Sequence, residues 1–392
     1  MGGGGADFND IQPAIDAARN GDLIFVRPGS YRNFVLAKGL TIRATGNDVF
    51  VSGVNQDVDT FVGNIGSGKR AVLSGLTFGG GTLYFTNSTG ELIGEDLLVL
   101  RTVVSNCGNV SFTGLTNSDD SNYCPAVLPT VSISSSTVRV SLATIHGQRG
   151  SDSAPCGFVS AGGSCVEIAD SRVVLARCNV RGGIGGEGSS ALPGGSGGTA
   201  ITSSRSTVIG MGLMANVIDG GAGGNGYGTP GGNGGLGIDE SGGTVLLSQV
   251  TVRGGSGGTG SPPGQDGGDW QGNLQRDDRY PSFDLDGGIN PGDMCRLVIN
   301  ATSPGRVVMM LSQFGGYRHD PAFVGPPLSV VPGGFFFSLP LGHANGTDEF
   351  VVSAPLPDDP SLEGFLLNVQ ALILGDDTLS YLTNGLDRVI GE

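Results

Sequence analysis

The chain has little positive charge to offer a partner. Lysine occurs only twice, at Lys38 and Lys69, and 21 basic residues face 36 acidic ones, for a net charge of −15. Phosphate recognition needs a basic surface, so no nucleic-acid partner is expected. No apolar run approaches the roughly 18–20 residues of a membrane span, so none is expected. No apolar leader is visible, and residues 1–5 read as a trimmed start. The six cysteines lack a metal-type C-x-x-C spacing. Charged residues reach only 15%, which leaves short strands and turns dominant over globular helices.

What the chain has instead is glycine, 73 residues of 392, and a repeat. Val131, Val166, Ile201 and Ile238 each stand seven residues before Val138, Val173, Val208 and Val245. Ile145, Val180, Ile218 and Val252 follow as a third anchor. A period of about 35 residues describes a solenoid, whose units bury their apolar faces only by stacking. Alternation in Val166-Glu-Ile168 and Ser136-Thr-Val-Arg-Val140 makes the pieces strands. Three strands and one long excursion per unit predict a coil of a parallel β-helix. Every excursion leaves after His146, Arg181, Asp219 or Arg253, so all are expected at one corner.

Residues 6–18 place Ile11, Ala14, Ile15 and Ala18 at helical spacing. A capping helix over about 9–18 follows, with Asn9 as N-cap and Gly21 as stop. Then come Gly21-Asp-Leu-Ile-Phe-Val-Arg-Pro-Gly-Ser-Tyr31 and Lys38-Gly-Leu-Thr-Ile42. This opening resembles that of the pectin-lyase-like right-handed parallel β-helix superfamily, over about the first 45 residues. The resemblance implies a fold but no single chemistry, because the superfold carries lyases, hydrolases, esterases, adhesins and structural proteins. The expected fold class is all-β: a capped β-helix over 1–270, a connector over 271–288 and a β-sandwich over 289–392. Strands are expected over 295–300, 306–312, 335–341, 349–353, 365–374 and 386–390. The acidic sandwich reads as an attachment or solubilising module, or as a cover for the last coil. Residues 362–374 and 382–386 resemble C-terminal modules of secreted bacterial proteins.

The excursions 182–198, 220–235 and 254–268 carry glycine pairs at a period of three. That period matches the three residues per turn of a polyproline-II-type helix. Ordered arms would stack backbone to backbone, whereas the alternative is a set of floppy linkers. Ordered arms make tips at Ser189, Ser190, Tyr227, Thr229, Gln265 and Asp266 the candidate binding residues. The design is similar in idea to the glycine-rich receptor-binding tips of phage adhesins, without a residue match.

Catalysis has weaker candidates. Pectin-lyase-fold hydrolases of the polygalacturonase type show paired aspartates, then Gly-His-Gly, then Arg-Ile-Lys. Here Asp119 and Asp120 precede Ile145-His146-Gly147 and Arg149, but Ile145 replaces the glycine and no Arg-Ile-Lys occurs. Glu167 and Asp239 form a second candidate: they face outward in one column, two coils and about 9–10 Å apart. Asp284 and Asp286 are a weak calcium candidate whose loop fails the EF-hand pattern; no other cofactor is expected. Cys107 with Cys124, and Cys156 with Cys165, read either as disulfides or as buried thiols. The function expected is a non-catalytic binding or structural role outside the cell or at its surface, with a glycan or cell-surface ligand. A polysaccharide hydrolase or lyase is the alternative.

Overall fold

The computed structural model describes residues 7–52, 59–117, 128–152, 157–212, 217–277, 281–286, 291–312, 315–318, 328–330, 336–359, 366–376, 380–383 and 386–390. The anchors stack as their spacing predicts. Val131, Val166, Ile201 and Ile238 are register partners in parallel strands, as are Val138, Val173, Val208 and Val245. First and second strands of the coils share a 17-stranded sheet, and third strands form one of nine. All these anchors are nearly fully buried in one continuous core.

From the coil of Asn64 onward a left-handed residue turns the corner after the first strand. Asn64, Asn87, Asn106, Ser135, Asp170 and Arg205 hold φ of 46–57°, and Gly242 takes the same place in a later coil. Asparagine and aspartate tolerate this region because their short side chains bond locally. The next residue locks the turn. Ser136 Oγ donates to Ser134 O at 2.7 Å and accepts Cys107 N at 3.0 Å. Ser171 and Ser206 repeat the pattern one and two coils on, accepting Ser136 N and Ser171 N. Serine suits the place because one buried hydroxyl both gives and takes. Ser171→Ala leaves Ser136 N–H without its acceptor and should lower stability by about 1–3 kcal/mol. Urea denaturation would read the loss; an unchanged midpoint would refute the ladder's contribution.

The cysteines follow from the same stacking, and the disulfide expectation is corrected. Cys107 occupies the ladder place of a serine, its Sγ donating to Ser105 O at 3.3 Å. Cys165 lies in the core, its Sγ 3.1 Å from Ile145 O. Both are free thiols, as are Cys178 and Cys295; Cys124 and Cys156 lie outside the described residues. Burial pushes all four described thiols up, Cys178 to about 12. Because the thiolate is the nucleophile, these four should resist Ellman's reagent at pH 8 in the native protein. Peptide mapping after labelling checks this; rapid modification at Cys165 or Cys178 would contradict it.

The capping helix α1 spans Ile11–Ala17 and buries Ile11, Ala14 and Ile15. Its N-cap is Asp10, not Asn9: Asp10 Oδ1 accepts Ile11 N at 2.8 Å. Its end is held by Lys38, whose Nζ reaches the carbonyls of Ile15, Asp16 and Ala18 at 2.8–2.9 Å, rather than by Gly21. A cation there satisfies carbonyls that helix geometry leaves open.

At the other end the repeat runs further than expected. Trp270 pairs with Ile238 and Leu274 with Val245 in parallel strands, so residues given to a connector continue the solenoid. The strand Ser282–Asp286 pairs antiparallel with Met294–Ala301. The C-terminal module is a β-sandwich with its own core around Phe283, Ile299, Val307, Ile373 and Tyr381. It lies against the side of the solenoid: Arg43 Nη1 donates to Ile390 O at 3.1 Å, and the strand Leu386–Val389 touches Arg101–Thr113. An entire outward column there is buried, from Arg43, Ser74 and Glu95 to Met211 and Ser248. The sandwich therefore packs on a flank of the helix.

Candidate functional site

The third strands put His146, Arg181, Asp219 and Arg253 in one register column. Each excursion thus starts one coil above the last, at one edge of one sheet. Outgoing arms bond to outgoing arms: Gly182 N to Asp219 O, Gly185 N to Ala222 O, Gly220 N to Arg253 O and Gly223 N to Ser256 O, each 2.8–2.9 Å. Returning arms bond to the outgoing arm of the same layer, as Gly198 N to Gly183 O and Gly235 N to Gly221 O. Second glycines close the lattice to the layer before, as Gly221 N to Gly198 O and Gly255 N to Gly235 O.

Partners recur every third residue, which is the geometry of extended helices with three residues per turn. The glycines are obligatory because the helices touch by their backbones. A Cβ on Gly182, Gly185, Gly221 or Gly232 would lie 1.9 Å from a carbonyl oxygen of a neighbouring arm. Stacking then supplies about 0.5–1.5 kcal/mol per bond against a similar cost of ordering each glycine. Order is cooperative, and the arms form one slab.

The slab has a layer that the sequence reading missed. Residues 147–152 and 160–163 belong to it: Gly147 N donates to Arg181 O, Gly150 N to Ile184 O and Gly162 N to Ser196 O, at 2.7–2.8 Å. Only Gly147, Gly150, Gly162 and Gly163 signal it, because Gln148, Arg149 and Ser151 fill the other places. The non-glycine positions make a polar edge. Asp152 Oδ1 accepts Glu187 N at 2.7 Å, Glu187 Oε1 meets Asn225 Nδ2 at 3.4 Å, and Asn225 Oδ1 takes Thr259 N at 2.9 Å.

The candidate tip residues divide. Thr229 Oγ1 donates to Ser189 O at 3.0 Å and Leu192 O at 2.9 Å, and Ser261 N donates to Thr229 O at 2.9 Å. Three neighbouring tips are thereby tied together. Ser190 is exposed and Tyr227 is 61% exposed. Gln265 and Asp266 are not tip residues, because the third tip ends sooner. Gly264 N already bonds Gly258 O, Gln265 N bonds Asn233 Oδ1 and Asp266 faces Gly257 N.

The catalytic candidates do not converge. His146 ends a strand of the nine-stranded sheet, while Glu167 and Asp239 stand on the larger sheet, one on each side of Thr202. Excursions leave after His146 and return before Val166, so the slab's root stands between His146 and Glu167. Asp239 Oδ1 is held by Gln271 Nε2 at 2.5 Å. Asp119 and Asp120 lie outside the described residues. Asp284 and Asp286 sit in a paired strand, opposite Val298 and Arg296, rather than in an open loop. Among the described residues no group of three or more potential ligands surrounds a metal-sized space, and no helix is long and apolar enough to cross a membrane.

No protein-family model matches the chain, and no curated protein does. Similar solved structures include full-length tailspike protein 2 from Escherichia coli O157:H7 bacteriophage CAB120, 11% identical with a TM-score of 0.35. That match covers 96% of this chain but only 65% of the tailspike, less than two thirds of its length. The A-module of mannuronan C-5 epimerase AlgE4 from Azotobacter vinelandii is 12% identical over 68% of this chain and 94% of that one, with a TM-score of 0.21. Likeness of that degree adds no argument about activity. Read from its own strand register, the chain folds as a parallel β-helix of three-stranded coils followed by an antiparallel module.

Proposed function

We propose that the protein is an extracellular or cell-surface binding protein, non-catalytic, that presents the slab tips to a glycan or another uncharged surface ligand. The observation that carries this reading is the tie between tips through Thr229 Oγ1 and Ser261 N. Loops ordered before contact lose less entropy on binding. The tip segments 189–193, 227–230 and 261–263 contain no charged residue, although the whole chain carries −15. An uncharged contact face on an acidic protein favours hydroxyl-rich or apolar partners over ionic ones. Tyr227 supplies the one aromatic side chain of these segments, which also contain Pro193, Pro230, Pro262 and Pro263.

Glycan-array and whole-cell binding test the reading. Tyr227→Ala with Ser190→Ala should weaken binding at least about tenfold, the scale of one lost aromatic contact. Substitution of Asp119, Asp120, His146, Glu167 and Asp239 should leave it unchanged. Binding indifferent to the tip changes would contradict the proposal. The second reading, a polysaccharide hydrolase or lyase, rests on the outward Glu167–Thr202–Asp239 column. It requires release of reducing ends or unsaturated sugars from uronate polymers, abolished by Glu167→Gln or Asp239→Asn.

A further inference from the structure

Each inner layer of the slab passes its outward N–H groups to the next. Gly182, Gly185 and Gly188 donate to Asp219, Ala222 and Asn225, and Gly220, Gly223 and Gly226 to Arg253, Ser256 and Thr259. On the returning side Gly194 donates to Pro230 O and Gly231 to Pro262 O. Such a lattice has no internal reason to stop. Its last layer, 254–268, offers an edge that another copy's slab could continue, as an open sheet edge templates pairing. A head-to-tail contact of that kind does not close and leads to filaments.

The last layer departs from the pattern at those donors. Gly254 N, in the place of Gly182 and Gly220, is taken by Asp269 Oδ1 at 3.0 Å. Gly257 N, in the place of Gly185 and Gly223, is taken by Asp266 Oδ1 at 2.8 Å. The place of Gly194 and Gly231 is filled by Pro263, which has no N–H to give. At the opposite end the matching acceptor is also occupied: His146 O receives Asn117 Nδ2 at 2.8 Å and Thr130 Oγ1 at 2.7 Å. Asp266 and Asp269 are both exposed, so they add like charge where a second slab would approach.

We propose that Asp266, Asp269 and Pro263 are a built terminating edge, which keeps the slab of a second copy of this chain from continuing the lattice. The three residues take or omit three of the five donors that each inner layer passes on, the places of Gly260 N and Asp266 N being the other two. This holds whatever the tips bind.

The test compares wild type with the D266A/D269A/P263G variant and with D266N/D269N, in which the amide oxygen preserves an acceptor. Sedimentation velocity over a concentration series should show a new, concentration-dependent species in the first variant only. At low concentration, Gly254 and Gly257 amides should exchange about tenfold faster in D266A/D269A, the scale of one lost hydrogen bond. Unchanged exchange would overturn the capping role, and faster exchange without a new species would overturn the block on association. Association of D266N/D269N as well would reassign the effect to charge repulsion and overturn the caps. Should the triple variant not fold, D269A alone supplies the exchange readout at Gly254.

Discussion

Alanine at Gly183 or Gly221 is expected to dissolve the slab while leaving the β-helix folded. A Cβ on Gly183 would stand 1.9 Å from Gln148 O, and one on Gly221 the same distance from Gly183 O. Both obstacles are backbone and hydrogen-bonded, Gln148 O by Gly163 N and Gly183 O by Gly198 N, so neither can step aside as a flexible side chain would. The arm must move away, and its bonds go with it: Gly183 N to Gly163 O and Gly198 N to Gly183 O, or Gly221 N to Gly198 O and Gly235 N to Gly221 O. Overpacking of about 1–3 kcal/mol plus two bonds of about 0.5–1.5 kcal/mol each exceeds what a lattice so near balance can hold. The tips Ser189, Thr229 and Ser261 would lose their mutual bonds as well. Ligand binding should vanish, and the thermal midpoint of the solenoid should fall by only a few degrees. Gly66→Ala is the control, because nothing lies within 4 Å of its added carbon. Wild-type protection of the arms in Gly183→Ala would sink the lattice.

The second large effect is expected at Phe85. Its ring is fully buried, and it meets Phe112 edge to face with centroids 5.1 Å apart. Phe85→Ala removes a core aromatic from a column whose neighbours are fixed by strand register, so the cavity cannot collapse. A loss of about 3–5 kcal/mol follows. Because coils interact mainly with their neighbours, the defect should also uncouple the two halves and broaden the urea transition. A change below about 1 kcal/mol with unchanged cooperativity would mean that this column is not the core. The two substitutions separate the parts of the molecule: one ends the slab without the scaffold, the other weakens the scaffold itself.

Much of this was legible because stacking imposes identical demands on each coil. Val131, Val166, Ile201 and Ile238 share one environment, so the chain repeats one residue type at one spacing. Paired glycines at a period of three likewise declare backbone-to-backbone contact. The first layer is hard to see because Gln148 and Ser151 stand where the inner layers carry their second glycines, which breaks the paired pattern. The N-cap shifted by one residue, from Asn9 to Asp10, as neighbouring capping types make boundaries ambiguous. Cys107 misled because a cysteine can fill a serine's place in a hydrogen-bonded ladder, a role that spacing to other cysteines cannot reveal. Gln265 and Asp266 were assigned to a tip because a weakened glycine pattern looks like an excursion's end; it marks the last layer instead. Where the C-terminal sandwich sits was not readable at all. The buried outward residues on that flank, such as Ser74, Ala176 and Ser248, would look equally at home facing water.

Native-state amide hydrogen exchange across residues 182–198, 220–235 and 254–268 tests the slab most directly. The lattice predicts protection of its inner glycines, Gly183, Gly198, Gly221 and Gly235, comparable with that of strand residues such as Val173 and Val208. Exchange of those amides at unstructured rates, beside protected strands, would show free linkers on a β-helix and contradict the account.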